Sequence, residues 1–200
     1  GFKCSAVTAN LGDKKERREK FLEAVEKLGG HLDILINGAG VQRRHKCEEF
    51  PEEDWEFVLN VNLNAVFALS QMAGQTFIRQ GSGGKIINFA SMLAFFGGYT
   101  VPAYAASKGG IAQLTKALCN EWAEKNINVN AIAPGYMDTE MNTALTDPNN
   151  PRFKEITDRI PHKRWGTPED VKGPIIFLAS SASDYLDGAI IPVDGGYLVK

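Results

Sequence analysis

Cysteine is scarce in this 200-residue sequence. Cys4, Cys47 and Cys119 are odd in number and far apart, so they outline neither a disulfide framework nor a metal site. They suit a reducing compartment, and the expected location is the cytoplasm. Histidine is equally sparse: His31, His45 and His162 are scattered, and no metal is expected. An excess of one charge sign is also missing. A formal net charge of −2 and a pI near 6.0 give no electrostatic reason to expect nucleic acid or an anionic membrane as partner. Apolar runs are short, which speaks against a membrane span. The opening Gly1-Phe2-Lys3-Cys4 has neither the apolar stretch nor the basic lead-in of a signal peptide. There is no initiator Met, so the natural chain is expected to begin earlier. No repeat, low-complexity tract or Pro/Gly-rich linker divides the sequence, and one domain over residues 1–200 is expected.

What is present is an ordinary globular balance, 44% hydrophobic and 23% charged. Helical and strand patterns alternate along it. A charged segment from Asp13 to Leu28, with Phe21, Val25 and Leu28 on one face, stops at Gly29-Gly30. Leu32 to Ile36 reads as a strand. Pro51 to Gln80 reads as one long helix, opened by Pro51 and acidic residues and closed by Gly81. Lys85–Phe89, Ile127–Ile132 and Gly188–Val193 read as strands. Ala103–Lys125 reads as a long helix, with shorter ones near 151–159 and 168–180. This alternation implies an α/β fold, a parallel sheet with helices on both faces. Ligands of such sheets sit beyond the carboxyl ends of the strands. The residues after Ile36, Phe89 and Ile132 should therefore share a crevice.

The chemistry-bearing residues fall at those positions. Asn37-Gly38-Ala39-Gly40 follows a strand and is small enough for close backbone approach, though taken alone a plain strand-to-loop turn is the simpler account. Ser91, just past a strand, could orient a carbonyl or simply cap a turn. Tyr104 and Lys108 are four apart and share a helical face. An ammonium near a phenol favours the phenolate, which a tyrosine needs in order to exchange protons with an alcohol near neutral pH. Pro134-Gly135-Tyr136-Met137-Asp138-Thr139 makes a sharp exit from a strand, with backbone groups and a hydroxyl able to hold an amide.

Tyr104-x-x-x-Lys108 with Ser91 thirteen residues before the tyrosine resembles the active site of the short-chain dehydrogenase/reductase family. Asn37-Gly38-Ala39-Gly40 resembles its Asn-Asn-Ala-Gly motif, with Gly38 replacing the second Asn. Val61-Asn62-Leu63, Pro134 through Thr139, and Asp194-Gly195-Gly196 are similar to three further family segments, in family order. The resemblance implies a single Rossmann-like, doubly wound domain using NAD, with NADP not excluded. It implies Tyr104 as general acid/base and Lys108 as its electrostatic partner and holder of the nicotinamide ribose. Ser91 would bind the substrate oxygen, and Asn62 would support a water-linked proton path. Pro134, Gly135, Met137 and Thr139 would hold the carboxamide side. Asn37, Ala39 and Gly40 would line the adenosine side, and Asn10-Leu11 would touch adenine. The family's opening strand, Gly-x-x-x-Gly-x-Gly turn, helix and second strand are absent from the sequence, about 50 residues by the size of a βαβ unit. They are expected to belong to the natural protein.

Gln42-Arg43-Arg44-His45 follows the Gly40 turn. Its two guanidinium groups could grip a carboxylate, or form a solvated basic loop. Together with Ala90-Ser91-Met92-Leu93, Val101 through Lys108 and Arg164-Trp165-Gly166, this loop resembles a branch of the family that acts on keto-deoxy sugar acids with NAD. Arg43, Arg44, Ser91 and Tyr104 are then the expected substrate contacts. Two readings stay open: a 3-oxoacyl-carrier-protein reductase or other sugar-alcohol dehydrogenase of the same family, and an inactive fragment serving as a subunit-interaction module. The long helices 51–80 and 103–125 resemble those that pair between subunits in the family, implying a homotetramer.

Overall fold

The computed structural model of the chain describes residues 3–147 and 149–200. Helix α1 (Lys14–Lys27) starts where the Asp13 carboxylate accepts the amides of Lys15 and Glu16. It ends at Gly29 and Gly30, both with left-handed φ near +80° (83° and 81°) that glycine alone adopts easily. Strand β1 (Ile34–Asn37) begins later than the apolar run from Leu32 suggests. The reason is that the Gln80 side-chain amide occupies both backbone groups of Leu32, at 2.9 and 2.7 Å.

The expected helix 51–80 is one continuous rod with a change of pitch inside it: α2 (Glu52–Leu59), a π-helical turn (Asn60–Asn64) and α3 (Ala65–Gln80). By length and mean hydropathy (1.2) this stretch could cross a bilayer, contrary to what short apolar runs suggest. In the fold it is a core element, with Val58, Ala73 and Phe77 fully buried. Next come β2 (Gly84–Phe89), α4 (Pro102–Trp122), β3 (Ile127–Pro134), a short α5 (Thr143–Thr146), α6 (Pro151–Arg159), α7 (Pro168–Ala179) and β4 (Ile190–Val193). α5 has no periodic signal in the sequence, being a single turn.

The four strands are parallel and lie in chain order β1-β2-β3-β4. Alternate residues point to opposite faces. Ile86 and Val129 pack with Phe21, Met72, Phe77 and Leu118 of α1, α3 and α4. Ile87 and Ile132 pack with Leu178, Val171 and Ile175 of α7. The sheet is thus covered on both faces, as the α/β pattern implies. On the α7 face this cover stops short of β1, where Ile34 and Ile36 are 38% and 46% exposed.

β3 runs past its expected end to Pro134, because the Gly135 amide donates to the Val193 carbonyl at 3.0 Å and keeps the strands paired. The two backbones meet closely there: a Cβ on Gly135 would lie 2.7 Å from the Asp194 Cα. Gly135→Ala is therefore expected to lower stability by about 1–3 kcal/mol, seen as a lower urea midpoint with an unchanged slope.

Candidate active site

The carboxyl ends of β1, β2 and β3 open onto a cavity of about 310 Å³. Gly38 and Gly40 come from the β1 loop, Ala90 and Ser91 from the β2 loop, and Pro134, Gly135, Met137 and Thr139 from the β3 loop. Tyr104 and Lys108 face it from α4. A second cavity, about 270 Å³, shares Ser91, Tyr104 and Gly135 with the first and extends toward α6. A third cavity, about 420 Å³, lies behind Met137 near Arg164 and Gly196 and contains none of Ser91, Tyr104 or Lys108.

Proline at the first turn starts α4 at Pro102 and aims Tyr104 and Lys108 toward the strand ends. Lys108 is only 4% exposed, and its ammonium donates to the Phe89 carbonyl at 2.5 Å. Burial of that charge brings its pKa down from 10.5 to about 8. The Lys108 Nζ lies 5.5 Å from the centre of the Tyr104 ring. The expected lowering of the Tyr104 pKa is corrected here: burial pushes it up, and only the hydrogen bond from Ser91 acts against that. Of the two roles open to Ser91 the structure shows the cap: its hydroxyl accepts the Leu93 amide at 3.2 Å at the turn Met92–Ala94, and it also bonds the Tyr104 phenol.

Asn62 sits on the π-helical turn, fully buried. Its side chain does not point free toward a proton path. Oδ1 accepts the Val41 amide at 2.8 Å, and Nδ2 donates to the Val41 carbonyl at 2.9 Å and to Ser107 Oγ at 3.2 Å. It thereby fastens the loop after Gly40 onto α4. Such π turns recur at functional sites because they shift side chains out of helical register.

The other expected residues divide. Asn37 is a buried strut, donating to Ser70 Oγ and Asn88 Oδ1 at 3.1 and 2.9 Å. Leu11, Asn37 and Ala39 line a small separate pocket of about 80 Å³. Asn10 is exposed and folds its Oδ1 onto the Gly12 amide at 3.0 Å. Of the two arginines only Arg44 faces the second cavity. Arg43 turns away: it pairs with Asp54 at 3.2 Å and lies over the Phe57 ring at 4.8 Å. The expectation that both grip substrate is narrowed to Arg44, because α2 offers Arg43 a carboxylate and a ring face. Arg152, Glu155 and Arg159 of α6 also line this cavity. The sequence carried one signal for them, their i, i+3, i+7 spacing on one helical stripe.

Lys108 yields a test. Between pH about 8 and 10.5 the folded amine has lost its proton while the unfolded one retains it. The unfolded chain then binds more protons, so stability rises with pH across that window, by up to about 3 kcal/mol. In Lys108→Met this component of the rise is expected to vanish, as measured by urea unfolding of both proteins at several pH values.

A family profile described as enoyl-(acyl carrier protein) reductase matches residues 2–198. The 2-dehydro-3-deoxy-D-gluconate 5-dehydrogenase of Escherichia coli (strain K12) is 57% identical over 171 residues, 86% of this chain and 67% of that protein. The enzyme of the same name from Dickeya dadantii (strain 3937) is 50% identical over 200 residues, 100% of this chain and 78% of that protein. Among solved structures, a gluconate 5-dehydrogenase from Burkholderia cenocepacia J2315 in complex with NADP and tartrate superposes with a TM-score of 0.89 at 38% identity. That match covers 95% of this chain and 73% of the other. With the Ser91, Tyr104 and Lys108 arrangement set at the ends of a parallel sheet, these matches show that the chain belongs to the short-chain dehydrogenase/reductase family.

Proposed function

We propose that the chain carries the catalytic machinery of an NAD(P)-dependent oxidoreductase acting on a sugar-derived hydroxy or keto acid, of the 2-keto-3-deoxygluconate or 2-deoxygluconate type. One observation carries this reading: Ser91 and Tyr104 stand where two cavities meet. One cavity is floored by glycines and backed by Lys108; the other is lined by arginines. The names of the similar enzymes from Escherichia coli and Dickeya dadantii point to the same substrate class.

The first cavity fits a nicotinamide and its ribose. Gly38 and Gly40 leave its floor bare, and a Cβ on Gly40 would approach Lys108 Nζ to 3.9 Å and Asn62 Oδ1 to 3.6 Å. Lys108 would hold the ribose hydroxyls, and Thr139 with the Met137 backbone would hold the carboxamide. A dinucleotide held there would supply or accept the hydride. The chain itself orients the substrate and moves the proton. Ser91 binds the reacting oxygen as charge develops on it. Tyr104, whose pKa burial raises, favours the protonated form and donates to the carbonyl oxygen during reduction. In oxidation it accepts the hydroxyl proton, and that direction gains as pH rises. Asn62 acts by holding Val41 and Ser107, and Arg44 takes the substrate carboxylate. The exposed Phe67 and Ile78 of α3 support assembly with further copies as a homotetramer, and the free cysteines support a cytoplasmic setting.

The test is turnover of 2-keto-3-deoxy-D-gluconate and 2-deoxy-D-gluconate with NAD and with NADP. Tyr104→Phe is expected to reduce turnover about 10²- to 10⁴-fold with the fold intact by circular dichroism. Oxidation should speed up and keto-acid reduction slow down as pH increases. A protein that turns over other ketones or alcohols but neither sugar acid overturns the substrate assignment.

A further inference from the structure

Arg44 and Arg152 lie far apart in the sequence, yet both line the cavity beyond Tyr104. Arg44 comes from the loop after β1. Arg152 sits in the first turn of α6, a helix anchored by Ile156 and Ile160 in the cluster around Trp165. Other arginines have found acids: Arg43 pairs with Asp54, and Arg164 with Asp170. Among the described residues no carboxylate lies within 4.0 Å of the Arg44 or Arg152 guanidinium. Arg44 also feels the charge of Arg152. Burial against the cavity wall, and then repulsion from Arg152, hold the Arg44 pKa below its usual value.

The rest of the lining does not neutralise them. Arg159 carries a third positive charge, but it is stacked 4.2 Å from the Tyr197 ring centre. Glu155 is the one acid in that lining. Two guanidinium groups facing one cavity without an ion-pair partner gain nothing for the fold, since like charges repel, and for Arg44 partial burial adds a cost. A carboxylate held between two forks removes both penalties.

We propose that Arg152 is the second arm of a carboxylate clamp, closing with Arg44 on the acid group of the substrate and setting the preference for sugar acids over neutral polyols. This rests on the sugar-acid reading above and adds to it a residue from a different element. A neutral polyol of the same length would leave both cations uncompensated in the cavity, so the clamp discriminates by rejection as well as by attraction.

The experiment is equilibrium binding by calorimetry, together with kcat and KM, for the full protein and its Arg152→Ala, Arg152→Lys and Arg44→Ala variants. The probes are 2-keto-3-deoxy-D-gluconate, D-gluconate and the neutral D-sorbitol. Arg152→Ala should weaken binding of both acids about 10- to 100-fold, the loss expected for a charge-assisted contact. It should act on KM with little change in kcat and leave sorbitol binding unaltered. Arg152→Lys should recover part of the loss, since it restores the charge without the fork. A merely structural role would move kcat and the thermal midpoint and would not distinguish acid from polyol. Acid binding within about twofold of the unaltered protein in Arg152→Ala, with Arg44→Ala strongly weakened, overturns the clamp and leaves the sugar-acid reading standing. Failure of the unaltered protein to bind either acid overturns both.

Discussion

A lysine ammonium placed 4% exposed under a crevice needs an acceptor, and Lys108 finds it in the carbonyl of Phe89 at 2.5 Å. That bond ties the first turns of α4 to the end of β2. It fixes where Tyr104 stands, one helical turn earlier, and so where Ser91 of the next loop must meet the phenol. The backbone of Gly40 passes close by because no side chain stands between it and the lysine. A buried, unneutralised amine is costly, and the depressed pKa near 8 is the measure of that cost.

Around this point two cavities differ in electrostatic character. The glycine-floored one carries no acidic lining residue and one weakly basic amine. The one beyond Tyr104 carries Arg44, Arg152 and Arg159 against Glu155. A reaction at their junction would hold a flat polar ring on one side and an anion on the other, with the phenol between them. Tyr136, Trp165 and Tyr197 form the aromatic wall behind the arginine-lined side, with ring centres 5.2 Å apart in two of the pairs. This wall holds α6 in place through Ile156 and Ile160.

The π-helical turn Asn60–Asn64 links the helical layer to the same point. Without the extra residue in that turn, Asn62 would not project to grip both backbone groups of Val41 and the hydroxyl of Ser107. The loop that carries Arg44 therefore depends on a local departure from helical pitch.

Much was determined by the sequence alone. Alternating periods of 3.6 and 2 in the apolar residues dictate helices and strands, and their order dictates a parallel two-faced sheet. Tyr104, Lys108 and Ser91 are legible because their roles need particular residue types at local or loop-end spacing. Boundaries were less legible: Leu32 reads as strand, and only the distant Gln80 amide shows why it is not. The pitch change at Asn62 leaves no mark on apolar periodicity, since it inserts backbone without altering which residues are apolar. Electrostatics needed the tertiary structure most. Whether Lys108 lowers the Tyr104 pKa, which of Arg43 and Arg44 meets the cavity, and whether Arg152 joins it all depend on burial and on partners distant in the chain. Coulomb and desolvation energies are set by separation and solvent exposure in space, and sequence spacing specifies those only within a helix turn or along a strand.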